Sequence, residues 1–189
     1  HTVQTKNAKS YHYDYLILAT GSSSFTPDIP GIARDGVFSL RSLDQALTLR
    51  DRLSFSQKVV IIGGGLIGLE VAATATKIPG LDTTVIERAS TLLPRLLPET
   101  VSSQILEMHR QNGTTVVLDA TVVEIVGTDK VEGVKLSTGK VVEADTVLVA
   151  VGALPETALA KDAGLAVDTG VVVDEYLQTS NQRVYAAGD

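Results

Sequence analysis

The chain has 189 residues, enough for one good hydrophobic core or two small ones. A net charge of −6 without any basic run excludes a nucleic-acid binder, and no apolar run approaches the length of a membrane span. The absence of cysteine excludes a disulfide framework, a thiol nucleophile and a thiolate metal site within these residues. His1, His12 and His109 lack metal-ligand spacing and read as surface or strand residues. No signal peptide is visible, His1 reads as a trimmed start, and a cytoplasmic location is expected.

Hydrophobic content of 44% with only 4% aromatics suits an α/β protein built from Val, Ile, Leu and Ala. Residues 2–5 and 10–13 predict a polar hairpin turning at Asn7-Ala8-Lys9. Residues 15–19 predict a buried strand running into Thr20-Gly21. An extended loop follows, kept from helix by Pro27, Pro30 and Gly31. Ser42 is the expected N-cap of a helix over 43–53. Residues 58–62 form an unbroken β-branched run, the pattern of a parallel strand buried on both faces.

Gly63, Gly65 and Gly68 then fit the G-x-G-x-x-G spacing of a dinucleotide-binding turn. Gly63 permits the tight turn, Gly65 lets backbone approach a pyrophosphate, and Gly68 lets the helix pack on the strand. The helix, expected over 66–77, would aim free N–H groups of Leu66 and Ile67 and its positive dipole end at the phosphates. A second strand over 83–86 ends in Glu87, about 20 residues beyond the turn, where a carboxylate grips the adenosine ribose. That favours NADH over NADPH, while the neighbouring Arg88 pulls the other way.

Pro98, at a first helical position, opens a helix to about Gln111, closed by Gly113. Residues 114–118 predict a third crossover strand. Short alternating runs at 122–126, 131–136 and 141–142 predict an antiparallel meander, and 146–151 a continuous return strand. A short helix over 155–162 and brief strands at 171–173 and 184–187 complete the chain. The domain organisation expected is a nucleotide domain over 43–152, flanked by parts of another domain at 1–42 and 153–189.

At this point the chain resembles the pyridine nucleotide–disulfide oxidoreductase superfamily, in which an NAD domain is inserted into an FAD domain. Four motifs in order carry the resemblance: Tyr13 to Gly21, the turn from Gly63 to Glu70, Gly152-Ala153-Leu154-Pro155, and Tyr185-Ala186-Ala187-Gly188-Asp189. Phrases such as Leu40-Arg41-Ser42-Leu43-Asp44 are most similar to rubredoxin and ferredoxin reductases, as is Glu156 after the proline, where many members carry asparagine. The implied fold is a Rossmann-like NAD domain, a parallel sheet plus three-stranded meander, inserted into part of an FAD-binding domain. The family's own FAD glycine fingerprint and C-terminal interface domain do not occur in these residues, so the chain reads as a fragment not competent for turnover alone.

The resemblance implies hydride transfer from NADH to FAD, then electron transfer to a small rubredoxin or ferredoxin. Gly63, Gly65, Leu66, Ile67, Gly68, Glu70, Glu87, Gly152 and Ala153 would contact NAD, with Glu70 reaching toward the nicotinamide carboxamide. Thr20, Gly21, Arg41 and Asp189 would contact FAD, Asp189 at the ribityl chain. No catalytic acid–base pair and no metal ligand are implied. Two alternatives stay open: an NADH oxidase, peroxidase or disulfide reductase of the same fold, and a non-catalytic NAD-binding module.

Overall fold

The structure is a computed structural model that describes residues 1–189. Strands β1 (Thr2–Gln4) and β2 (Ser10–His12) form an antiparallel hairpin, followed by β3 (Leu16–Leu18) and β4 (Ser22–Ser24). Strand β5 (Val37–Ser39) leads into helix α1 (Leu43–Leu53), β6 (Lys58–Ile62), α2 (Leu66–Ala75) and β7 (Asp82–Ile86). Helix α3 (Glu99–Gln111) returns to β8 (Thr114–Val117). The meander β9 (Val122–Val126), β10 (Gly133–Leu136) and β11 (Val141–Glu143) precedes β12 (Thr146–Val149). Strand β13 (Ala153–Pro155), helix α4 (Ala158–Asp162) and β14 (Val184–Ala186) end the chain.

Two compact units result, one of residues 1–23 with 153–189, the other of residues 24–152. The larger unit thus begins ahead of residue 43, because β5 joins its sheet beside β12 and the 29–36 loop binds the meander. The Ile125 N–H donates to the Pro30 carbonyl at 2.8 Å, and Arg34 donates Nη1 to the Ile125 carbonyl.

The five-stranded sheet of this unit runs in the order β5-β12-β6-β7-β8, with every pair parallel. Alternate residues of β6 feed two cores, as a strand buried on both faces must. Val59 and Ile61 meet Leu49, Leu69, Ala72 and Val85 under the helices. Val60 and Ile62 meet Ile125, Val134 and Val147 under the meander. No helix is long and apolar enough to cross a membrane.

Ser42 caps α1 through a full capping box with Gln45, satisfying two otherwise orphaned N–H groups. Pro98 proves to be the N-cap of α3, with extended backbone, rather than its first helical residue. Residues 171–173 make only an isolated bridge from Val171 to Val167. Residues 153–155 form strand β13 beside β4, so the last helix starts only at Ala158. The strand at 15–19 shortens to β3 and is not fully buried: Leu18 is 6% exposed but Ile17 67%. His109 is neither surface nor strand; it is buried on α3.

A polar cluster closes the N-terminal ends of β6 and β12. Arg52 donates Nε to the Thr146 hydroxyl at 3.1 Å and Nη2 to the Asp145 carbonyl at 2.7 Å. Asp145 Oδ2 accepts the Gln57 and Lys58 N–H groups at 2.7 and 3.0 Å. Burial pushes the Asp145 carboxyl up, but these two amides and the hydroxyls of Thr146 and Ser56 outweigh it and hold the group below its usual value of 3.8.

The stability contribution of Asp145 is therefore complete above its unfolded value and is lost as pH falls through the lower folded one. Asp145→Ala should cost about 1 kcal/mol at pH 7 by removing the acceptor of the exposed Gln57 amide and the half-buried Lys58 amide, read by urea denaturation. Its unfolding free energy should also fall less steeply than wild type as pH drops below 4.

Candidate dinucleotide site

The strand order places a topological switch point between β6 and β12. From β6 the chain proceeds through β7 and β8 on one side, while β12 and β5 lie on the other. Ligands of open parallel sheets bind outside the carboxyl ends of the strands at such a point. Gly63 follows β6, Glu87 follows β7, and Ala150 to Gly152 follow β12.

Each fingerprint glycine has a distinct physical reason. Gly63 has φ +109, and a Cβ there would lie 2.4 Å from the Ala150 carbonyl oxygen. A Cβ at Gly68 would lie 2.1 Å from the Gly63 carbonyl oxygen, so α2 leaves the strand at a separation only glycine permits. Gly65 is different. It is the N-cap of α2, its φ is an ordinary −85, and no atom of the protein lies within 4 Å of where its Cβ would stand. Neither backbone strain nor crowding demands glycine at 65.

No side chain caps α2, in contrast to α1. Its first turn therefore offers N–H groups and the positive dipole end to an anion. Leu66 and Ile67, apolar residues of that turn, are 60% and 44% exposed, while Gly68 and Leu69 face inward. Glu70 lies on the exposed side of α2 one turn further on. Its negative charge favours protonation of buried His109, but burial prevails and holds that imidazole below its usual range.

Glu87 is only 9% exposed, and its carboxylate is fixed at both oxygens. Oε2 accepts the Gly64 N–H at 2.7 Å and Oε1 the Ala89 N–H at 2.8 Å. Each oxygen keeps a second lone pair for a ligand hydroxyl. Gly64 was not singled out by the motif, yet a Cβ there would meet Leu92 Cδ2 at 2.6 Å. Arg88 is exposed beside Glu87. Gly152 has φ +128 and an open Cβ position, and its carbonyl accepts the Phe25 N–H at 2.9 Å. Arg41 lies exposed just ahead of α1, its N–H donating to Gln45 Oε1 at 2.7 Å.

The smaller unit gathers a second set of residues. Thr20 donates Oγ1 to the Glu156 carbonyl at 2.8 Å, and the Glu156 N–H donates to the Gly21 carbonyl at 2.9 Å. Gly21 has φ +70, and Ala153 is exposed on β13. Ser22 donates Oγ to Asp189 Oδ2 at 3.0 Å. Thr20, Gly21 and Asp189 therefore meet, with Ser22 and the Glu156 backbone as partners that the motifs did not indicate. The one sequence signal for Ser22 was its place directly after the A-T-G turn.

Parallel sheet, switch point and glycine turn define a dinucleotide-binding protein. The whole chain, residues 1–189, matches the family model described as pyridine nucleotide-disulphide oxidoreductase, and the chain belongs to that family. The family binds FAD and a pyridine nucleotide. A nitric oxide reductase FlRd-NAD(+) reductase of Escherichia coli O6:K15:H31 is 38% identical over 189 residues, which are 100% of this chain and 49% of that protein. A ferredoxin reductase from Rhodopseudomonas palustris superposes with TM-score 0.93 at 36% identity, covering 97% of this chain and 46% of that one. The reductase of a covalent putidaredoxin reductase–putidaredoxin complex gives TM-score 0.92 at 33% identity, over 100% of this chain and 46% of that one. The chain spans about half the length of these proteins.

Two alanine substitutions separate the roles of the glycines. Gly65→Ala should leave the melting temperature within about 2 °C of wild type yet weaken dinucleotide binding about tenfold, because the methyl group enters ligand space only. Gly68→Ala should destabilise the fold by about 3 kcal/mol through backbone displacement. Calorimetric melting and ligand titration of both variants check this.

Proposed function

We propose that the larger unit binds NADH at the carboxyl end of its sheet, and that the parent protein is a flavoprotein reductase. It would pass a hydride from NADH to FAD and then electrons to a small rubredoxin- or ferredoxin-type protein. The observation that carries this reading is the conjunction at one sheet edge of an uncapped helix start, an open glycine and a fixed carboxylate.

In this reading Gly63, Gly65, Leu66, Ile67 and Gly68 wrap the pyrophosphate, whose charge the α2 N–H groups meet. Glu87 accepts the ribose hydroxyls through its remaining lone pairs and repels a 2′-phosphate. Glu70, Gly152 and Ala153 belong toward the nicotinamide. Thr20, Gly21, Arg41 and Asp189 belong to FAD, with Ser22 holding the Asp189 carboxylate in place. The flavin, when bound, supplies the two-electron to one-electron conversion, and the protein supplies position and electrostatics. The names of the flavorubredoxin-linked, ferredoxin and putidaredoxin reductases support a small electron-carrier partner. An acceptor of peroxide, oxygen or a disulfide is the competing reading; the absence of cysteine removes a redox thiol within these residues only.

Anaerobic mixing of the FAD-loaded parent protein with NADH should bleach the flavin absorbance, and added ferredoxin or rubredoxin should restore it. Flavin that NADH leaves oxidised would sink the reductase reading. In the 189-residue chain, Glu87→Ala should lower NADH affinity about tenfold and narrow the gap to NADPH, since exposed Arg88 stays available to a 2′-phosphate. An unchanged preference in fluorescence titrations with both cofactors rejects the ribose role.

A further inference from the structure

The glycine turn is held from behind by a segment that lies outside every motif. Leu92 and Leu93, in the connection from β7 to α3, are buried against the helix-side core. Leu92 packs where Gly64 has no side chain. Leu93 adopts φ +51, a left-handed conformation costly for a branched residue, and its N–H donates to the Gly64 carbonyl at 3.1 Å. Both backbone groups of Gly64 are thereby engaged, the N–H by Glu87 and the carbonyl by Leu93.

One side chain anchors this segment to a helix. Ser102, in the first turns of α3 and 1% exposed, donates Oγ to the Leu92 carbonyl at 2.5 Å. A serine inside a helix more often returns its hydroxyl to its own backbone, as Ser103 does to the Glu99 carbonyl. Ser102 instead reaches the other element.

We propose that Ser102 is a positioning residue for the dinucleotide, setting the glycine turn through Leu92, Leu93 and Gly64; the inference rests on the NADH reading above. The hydroxyl fixes the Leu92 carbonyl, the strained Leu93 backbone presents its N–H to Gly64, and Gly65 follows covalently. A turn held this way meets the pyrophosphate without reorganising. Without the hydroxyl, Leu93 relaxes toward commoner backbone conformations and only a fraction of molecules present the competent turn. Apparent affinity falls by that fraction.

The test compares NADH with ADP-ribose, which keeps the adenosine and pyrophosphate but lacks nicotinamide. Calorimetric titration of the 189-residue chain should show Ser102→Ala and Ser102→Cys weakening both ligands by the same factor, about fivefold. Ser102→Thr, which restores a hydroxyl, should return to within about twofold of wild type. Folded Ala and Cys variants that bind both ligands like wild type overturn the inference, whatever their melting temperatures, because a purely structural hydroxyl would move only the latter. Weakening of NADH alone also overturns it. A wild-type chain that binds neither ligand overturns the dinucleotide reading itself, and this inference with it. Should both variants fail to fold, amide exchange in the wild type decides: ADP-ribose should slow exchange of the Leu93 N–H, and an unaltered rate rejects the role.

Discussion

Where α2 leaves β6, two backbones touch at a distance that no side chain could share, Gly68 against the Gly63 carbonyl. The arrangement of the larger unit's open edge depends on that contact. It starts the helix immediately at the end of the strand, so the unpaired amides of its first turn project over the sheet edge. Strand register does the rest. Ile62 pairs with Ile86 on one side and with Val149 on the other, so the three strands end level. Glu87 and Ala150 to Gly152 reach the same edge for no other reason.

The two ends of this sheet are built on opposite principles. At the amino ends of β6 and β12 polar groups are paired off: Arg52, Ser56, Asp145 and Thr146 form one hydrogen-bonded cluster, and Lys58 pairs with Glu143. At the carboxyl end donors are left uncommitted, and the carboxylate is fixed without being used up. Stability and recognition thus occupy opposite ends of the same strands, with the apolar layers on either face between them. Acid weakens the first end by removing an acceptor.

What was legible in sequence was whatever had a period or a spacing. The apolar run of β6, the glycine pattern, the Ser42 cap and the alternating meander all left a local signature. The strands β4, β5 and β13 did not, because each is a short stretch hemmed in by glycine, serine or proline, with no hairpin turn to a neighbouring strand to mark it. Residues 171–173 show the converse, apolar enough for a strand but given only one bridge. His109 looks polar on paper, yet α3 turns it inward. Ser102 and the Glu156 backbone escaped notice because their partners, Leu92 and the Thr20-Gly21 turn, are defined only by tertiary folding.

In the smaller unit, β3 and β14 make a parallel pair whose neighbouring surface gathers Tyr15, Ile17, Tyr176, Leu177 and Tyr185. Parallel strands are usually covered on both faces, yet Ile17 and Tyr15 are 67% and 70% exposed. A contiguous apolar surface of this kind is one on which another apolar segment or molecule is favoured to pack. Because apolar attraction strengthens on warming from the cold, any such packing tightens between ice temperature and room temperature.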